Sequence, residues 1–309
     1  MNKKLAFYIL KRVLLAFVTI VIVITVTFFA MQLIPGGPFT SEKAISDEAM
    51  ARLEAKYGLD KPLFIQYLNY IKSALVFDFG YSIKSRGAVT VTEIIFNGMR
   101  YSAVIGIIAA VIAIIVGVVL GSLAAYKHNT TIDRIIMVLS TASVAVPSFI
   151  ISTIFLYLFC LVWPIFPANG SSWQGFILPT ITLSFSPMAY IIRLTRSSTL
   201  DVLGSDYIRT AYAKGASFSR VLYKHSLRNS LTPVITYAGP MIAFIITGSL
   251  VVEKIYGIPG IGRSFVSSIT NRDYPLVMGL TIFLTYLVII MVLISDILYK
   301  VVNPRVELE

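Results

Sequence analysis

The chain has 309 residues, of which 57% are hydrophobic and 13% charged, with 26 Lys plus Arg against 15 Asp plus Glu for a formal charge of +11. A soluble domain carries about twice that share of charge, so no single water-soluble core hides these residues, and the same figures exclude a disordered chain. Cys160 stands alone, which excludes a disulfide-stapled secreted fold. The solvent is therefore largely lipid. The positive balance could suggest nucleic acid, but a membrane protein with basic cytoplasmic loops gives the same balance, and membrane lipid rather than nucleic acid is the expected partner.

A helix crossing the hydrocarbon needs about 20 apolar residues, and six stretches qualify. The first, 13–34, follows Lys3, Lys4, Lys11 and Arg12. It is longer than the 7–15 residues or so of a signal-peptide core, and its exit, Ile34-Pro35-Gly36-Gly37-Pro38, offers no small-x-small cleavage site, so it is expected to stay as an anchor. Residues 35–100 make the longest outer segment. There Ser46-Asp47 reads as a helix start and Gly58 as its stop; Pro62 opens a second helix with Phe64, Leu68, Ile71 and Leu75 on one face. The second span, 101–125, contains no charge. The third, 135–162, is broken by Pro147, and the fourth, 176–192, carries Pro179 and Pro187. The fifth, 231–252, contains Gly239-Pro240, and 276–295 closes the set. Prolines inside spans require neighbouring helices to satisfy the backbone groups they free.

Orientation follows from the basic residues. With the N-terminus inside, 15 of the 26 fall on the inner side, and eight of the other 11 sit in the long 35–100 segment, which the positive-inside rule discounts. Six spans then leave both termini in the cytoplasm.

The inner segment 193–230 is long and not polar throughout. Tyr207, Ile208, Ala211, Tyr212, Gly215, Phe218, Val221 and Leu222 share one helical face, with Arg209, Lys214, Arg220 and Lys224 on the rest. Gly215 permits a bend or a close backbone approach. On amphipathicity alone this is a helix lying on anionic lipid or a docking element for a cytoplasmic protein.

Catalytic signatures are missing. The string Gly257-Ile258-Pro259-Gly260-Ile261-Gly262-Arg263 lacks the Lys-Ser/Thr of a phosphate loop, and Pro259 removes a donor, so it reads as a tight outer turn. His128 and His225 lie in loop regions and form no metal cluster with one cysteine, and each reads as a solvated or interfacial residue. No Gly-x-Ser-x-Gly elbow or His-Glu-x-x-His occurs. Catalytic, cofactor-binding and metal-ligating residues are therefore expected to be absent. The spans hold almost no charge: Arg193, Glu253, Lys254 and Asp296 sit at span edges, where snorkelling or helix-end charge is expected rather than a proton relay. With no seat for a coupling ion, energy for directed transport has to come from outside the chain.

Asp206-Tyr207-Ile208-Arg209-Thr210-Ala211-Tyr212-Ala213-Lys214-Gly215, followed by His225-Ser226-Leu227-Arg228-Asn229-Ser230-Leu231-Thr232-Pro233, resembles the cytoplasmic coupling loop of bacterial ABC importer permeases. The match is to the peptide-importer branch, and within it most closely to the first of the two oligopeptide permease subunits. Pro35-Gly36-Gly37-Pro38-Phe39, Lys56-Tyr57-Gly58-Leu59, Phe77-Asp78-Phe79-Gly80, Val146-Pro147-Ser148-Phe149, Ile255-Tyr256-Gly257-Ile258-Pro259-Gly260-Ile261-Gly262 and Asn271-Arg272-Asp273-Tyr274 add to it in order. The glutamate-alanine-alanine triplet of the general pattern falls on Arg209-Thr210-Ala211, and its later proline falls on Arg228; both departures resemble those of the peptide branch.

The resemblance implies an all-α integral membrane protein of six transmembrane helices with the type I ABC importer permease fold. Residues 1–34 would be the cytoplasmic N-terminus and first helix, 35–94 an extracytoplasmic helical cap, 95–300 the permease core with its coupling loop at 193–230, and 301–309 a cytoplasmic tail. It implies a homologous second permease subunit, two cytoplasmic ATPase subunits that bind ATP-Mg, and an extracytoplasmic peptide-binding protein, with no cofactor in this chain. Asp206, Tyr207, Ile208, Thr210, Ala211, Tyr212, Lys214, Gly215 and Phe218 would meet an ATPase. Ser140, Thr141, Ser143, Ser148, Thr180, Thr182, Ser184, Thr247 and Ser249 would make a polar, uncharged pathway wall, unless they serve as glue between helices. Dipeptide and nickel-chelate permeases share the architecture; a stand-alone channel or secondary transporter, and an integral-membrane enzyme, are the other classes weighed.

Overall fold

The computed structural model describes residues 3–33, 58, 60–85, 88–170, 172–217, 221 and 226–302. Among them the structure is helical apart from one isolated antiparallel bridge between Tyr81 and Thr90. The helix expected from Ser46 lies outside the described residues. The chain forms two compact units, Met1–Arg100 with Gly260–Ile289 and Tyr101–Pro259 with Ile290–Glu309.

In the first unit, α1 (Lys3–Gln32) is a single apolar helix. Among its described side chains it buries Ile20, Ile24, Thr27 and Phe28, one stripe at three- and four-residue steps from Ile24, and leaves Leu10, Leu14, Phe17, Ile22 and Val26 exposed. Apolar exposure on that scale is stable only in lipid or against another protein. Helix α2 (Leu63–Leu75) begins at Pro62 as expected, but it presents a different face. Phe64 is 69% exposed, and Leu68 and Leu75 are also outward. Tyr67, Tyr70, Ile71 and Ala74 turn inward instead. The Tyr67 ring lies 5.5 and 5.6 Å from those of Phe28 and Phe29, its hydroxyl meets Thr25 Oγ1 at 2.7 Å, and Tyr70 stacks 5.9 Å from Phe28. An aromatic with a hydrogen-bonding tip holds a helix pair better than an aliphatic face that lipid can solvate. Burial lifts the Tyr70 phenol above its ordinary pKa.

Asp273 gathers the turn that follows. It is buried, accepts the Ser82 hydroxyl at 2.5 Å and the Ile83 N–H at 3.2 Å, and lies 3.4 Å from the Leu276 N–H in the first turn of α12 (Tyr274–Val302). A carboxylate at a helix N-terminus is favoured by the helix dipole. Close approach is required at Gly98, where a Cβ would stand 3.0 Å from the Ile261 nitrogen that opens α11 (Ile261–Thr270).

Helix α3 (Val91–Tyr126) is longer than the span read from its uncharged run, because residues 91–100 continue it. Its part in the second unit carries Gly106, Ala110, Ala113, Gly117, Gly121 and Ala124 at three- and four-residue spacing, a stripe of small residues that lets backbones meet. Gly106 abuts α9 (Thr232–Ile246), where a Cβ would fall 2.9 Å from the Ile245 carbonyl oxygen. Gly117 and Gly121 abut α6 (Ile177–Leu203), where added Cβ atoms would stand 2.7 Å from Ile191 Cγ2 and from the Ile192 oxygen.

Three spans differ from their sequence outlines. The third is two helices, α4 (Thr131–Ala145) and α5 (Ser148–Leu156, continued by a π-turn over Tyr157–Val162), bent by 98° at the break before Ser148. Pro147 lacks the N–H that would continue the ladder, and Val146 before it is extended. The fourth span, α6, absorbs Pro187 and runs past Arg193 to Leu203, so Arg193 is inside a helix with its guanidinium over the Tyr190 ring. The fifth is interrupted after α9: Gly248 takes φ +85°, and α10 (Leu250–Ile255) restarts with the Ser249 hydroxyl oxygen accepting the Val252 N–H.

Glu253 corrects another expectation. It does not snorkel at a span edge; it is 1% exposed and accepts the Ser102 hydroxyl at 2.7 Å. A buried carboxylate is stable only with such partners, and Ser102, on a distant segment of sequence, provides one. The glycine-rich string after it is a turn, with Gly257 at φ +62° and the Ile258 N–H bonded to the Glu253 carbonyl.

Candidate functional site

About three turns beyond the apolar part of α6, the chain breaks at Gly204 and Ser205 and restarts as α7 (Asp206–Ala213). The local sequence explains both ends. Ser205 is extended and its hydroxyl donates to the Val202 carbonyl, while Asp206 puts a negative charge in the first turn. At the other end Gly215 takes φ +79°, its N–H bonds the Tyr212 carbonyl, and the Ala216 N–H bonds the Ala211 carbonyl. That pair of bonds is a Schellman cap. The single helical face expected from Tyr207 to Leu222 therefore stops at Ala213, because the left-handed glycine ends the helix. Among the described residues nothing lies within 4 Å of a Cβ built on Gly215, and the residue supplies the positive backbone angle of the cap.

The predicted residues divide by exposure. Asp206, Tyr207, Thr210, Tyr212, Lys214 and Gly215 are exposed, together with Arg209 and Ala213, and Ala211 is half-buried. Ile208 is 0% exposed and anchors the helix to its own chain, so it is not part of the outward face. Phe218 and Leu222 lie outside the described residues, and Val221 is buried. The outward face carries two cations, Arg209 and Lys214, against Asp206; the Arg209–Asp206 pair at 3.6 Å is fully solvated and contributes little. Partial burial raises the Tyr212 phenol above its ordinary pKa, so it is neutral at physiological pH.

The return leg, the short helix α8 (Leu227–Ser230), is fastened to this element and to α6. Asn229 Nδ2 donates to the Tyr207 hydroxyl at 2.8 Å, and Ser198 on α6 donates its hydroxyl to the Ser230 carbonyl at 2.7 Å. Sequence reading gave neither bond, since each joins residues more than 20 apart.

The hydroxyls proposed for a pathway wall differ in exposure. Ser140, Thr180, Thr182 and Ser184 are buried in the second unit, and three of them bond carbonyls of their own helix, Ser140 to Met137, Thr182 to Leu178 and Ser184 to Ile181. Serine and threonine commonly satisfy themselves this way inside helices. Thr141 and Ser148 are exposed and Ser143 half-buried around the elbow at Pro147, and Thr247 and Ser249 are half-buried at the break after α9.

A charged cluster was missed altogether. Arg196 on α6 grips Asp133 on α4 through two contacts, Nε to Oδ1 at 2.6 Å and Nη2 to Oδ2 at 2.7 Å. His128 Nδ1 lies 3.2 Å from the same Nη2. His128 is thus half-exposed but engaged, not simply solvated. The only sequence signal is an acid and a base at the ends of separate apolar stretches, and nothing in the spacing pairs them.

Residues 117–308 match the family described as the binding-protein-dependent transport system inner membrane component, and residues 5–97 match its N-terminal family. The chain is 44% identical over 307 residues to the dipeptide transport system permease protein DppB of Bacillus subtilis, covering 98% of this chain and 99% of that one. It is 43% identical to the oligopeptide transport system permease protein OppB of Haemophilus influenzae and 42% identical to that of Escherichia coli K12, each covering 97% of this chain and 99% of the relative. Among solved structures, a chain of the inward-facing MetNI methionine ABC transporter aligns with a TM-score of 0.55 at 15% identity, covering 68% of this chain and 96% of that one, a likeness of fold. The protein belongs to the binding-protein-dependent transport permease family, as a multi-pass component of the bacterial inner membrane.

Proposed function

We propose that this permease forms half of the translocation pathway of an ATP-driven peptide importer. The observation that carries the reading is identity above 40% over almost the whole chain to permeases of dipeptide and oligopeptide systems. A homologous permease completes the pathway, two cytoplasmic ATPase subunits bind and hydrolyse ATP-Mg, and an extracytoplasmic peptide-binding protein delivers cargo. This subunit performs no catalysis and binds no cofactor. Both termini and α7 face the cytoplasm. Moving an access equilibrium from 1:99 to 99:1 takes about 5.5 kcal/mol of differential binding, and the partners' nucleotide cycle supplies it through α7. Asp206, Tyr207, Thr210, Ala211, Tyr212, Lys214 and Gly215 meet the ATPase, with Phe218 beyond them, and Ile208 seats the helix from within. Thr141, Ser143 and Ser148, with Thr247 and Ser249, contribute polar, uncharged wall to the pathway. Ser140, Thr180, Thr182 and Ser184 join it when the subunit changes conformation. Such a wall suits peptides held weakly through their backbones.

The test is purification in mild detergent with the candidate ATPases, together with uptake of labelled di- and oligopeptides in a strain lacking this chain. Co-elution that is abolished by Ala211→Glu, and uptake restored only when the ATPases are present, are the expected results. Uptake that continues at the same rate without the ATPases would instead identify a channel or secondary transporter.

A further inference from the structure

The second unit holds a charged device that the coupling reading leaves unused. Asp133 is 3% exposed, yet it is fully engaged. Besides the two-point grip of Arg196, its Oδ2 accepts the N–H of Asn129, which adopts φ +62° in the turn between α3 and α4. Three strands of the architecture meet at one carboxylate: the α3–α4 turn, the start of α4 and the late part of α6. A two-point guanidinium–carboxylate pair fixes direction as well as distance.

Its position in the chain gives it leverage. Arg196 stands two turns before the end of α6, and α6 leads through Gly204 directly into α7. Ser198, half a turn further on, fastens the return leg at Ser230. Just before Arg196, α6 lies in backbone contact with α3, since Cβ atoms at Gly117 and Gly121 would collide with Ile191, Ile192 and Thr195. On the other side, α4 runs from Asp133 to the elbow at Pro147, about 20 Å away at helical rise. The segment of α6 nearest α7 is thus packed closely on α3 and joined through the clamp to α4.

We propose that Asp133 and Arg196 are positioning residues for coupling, forming a fulcrum that converts displacement of α7 into movement of α4 and its elbow. The proposal rests on the reading of α7 as the ATPase-coupling element. The pair touches neither nucleotide nor peptide. His128 steadies the guanidinium from its outer side.

The test uses the whole importer in nanodiscs, with Asp133→Asn, Arg196→Gln, the double variant and Arg196→Lys, which keeps the charge but loses the two-point grip. Peptide transported per ATP hydrolysed should fall about tenfold in Asp133→Asn and Arg196→Gln while ATP hydrolysis and subunit stoichiometry stay within about twofold. The double variant should match the worse single one, as a residue pair acting as a unit does, and Arg196→Lys should fall between. An unchanged transport-to-hydrolysis ratio in the singles, or losses that simply multiply in the double, would overturn the fulcrum. Failure of assembly in every variant, Arg196→Lys included, would make the pair purely structural and also overturn it. Ala211→Glu, run alongside, separates the two ideas: if it leaves the ATPases bound and coupled, the reading of α7 fails, whatever the clamp variants do.

Discussion

Gly215 is the residue on which the candidate site turns. Its positive φ lets the chain reverse at the end of α7, and no described residue lies within 4 Å of a Cβ built on it. A side chain there meets no neighbour but must adopt the left-handed region, which is unfavourable by about 1–2 kcal/mol for most L-residues and less for asparagine. Gly215→Ala is therefore expected to loosen the last turn of α7, seen as faster amide exchange at Ala213–Gly215, with Gly215→Asn closer to the parent. If the alanine variant exchanged no faster, the cap would not govern the end of the helix. Composition already singled Gly215 out. It did not say whether the need was for space or for a backbone angle, because a lone glycine serves either purpose until its surroundings are known. The same holds for Glu253, whose charge is visible in sequence and whose buried partner Ser102 is not.

At the scale of elements, apolar runs located the long helices, and the prolines located the elbow. Hydropathy does not reveal which face of a helix another helix covers. Phe64, Leu68 and Leu75 were the arithmetically obvious face of α2, yet the aromatic pair Tyr67 and Tyr70 took the contact with α1. In water a hydrophobic face must be buried; in lipid it need not be, so packing falls to small residues and polar tips. The α3–α6 contact is the clearest case. Gly121→Ala places a methyl 2.7 Å from the Ile192 oxygen and the Thr195 Cβ, and overpacking of this kind costs about 1–3 kcal/mol. Gly204→Ala, with negative φ and no neighbour nearer than 3.5 Å, is expected to be neutral or to stabilise by about 0.4–1 kcal/mol. Thermal melts of the detergent-solubilised chain check both: the first midpoint falls and the second holds. Equal falls would mean that the α3–α6 contact is no tighter than the bend at Gly204.

For the whole molecule, the distribution of basic residues makes a prediction about sidedness. If the basic inner loops lie in the cytoplasm, the uncharged 164–175 segment is predicted to face outward. A cysteine replacing exposed Trp173 should react with a membrane-impermeant maleimide added to intact spheroplasts, and one replacing exposed Thr210 only after the membrane is opened. The reverse pattern would invert the topology and remove α7 from any cytoplasmic partner. The chain also divides into units that are not continuous in sequence, one taking Gly260–Ile289 together with the N-terminal Met1–Arg100. Such an exchange leaves no composition shift or linker to mark it, which is why a linear reading of domains could not see it.

The sequence by itself determined the solvent, the long helices, the position of the break at Pro147, the amphipathic element near residue 207 and, through the order of its short motifs, the transport family. These are carried by local composition and by spacing within one helix. Only the tertiary structure decided that α7 ends at a left-handed glycine, that Ile208 points inward, that Glu253 is buried, and that Asp133 meets Arg196 from 63 residues away. Those facts depend on which helices are neighbours, and in an almost uniformly apolar chain neighbour choice is set by a few glycines, hydroxyls and charges whose partners lie far along the sequence.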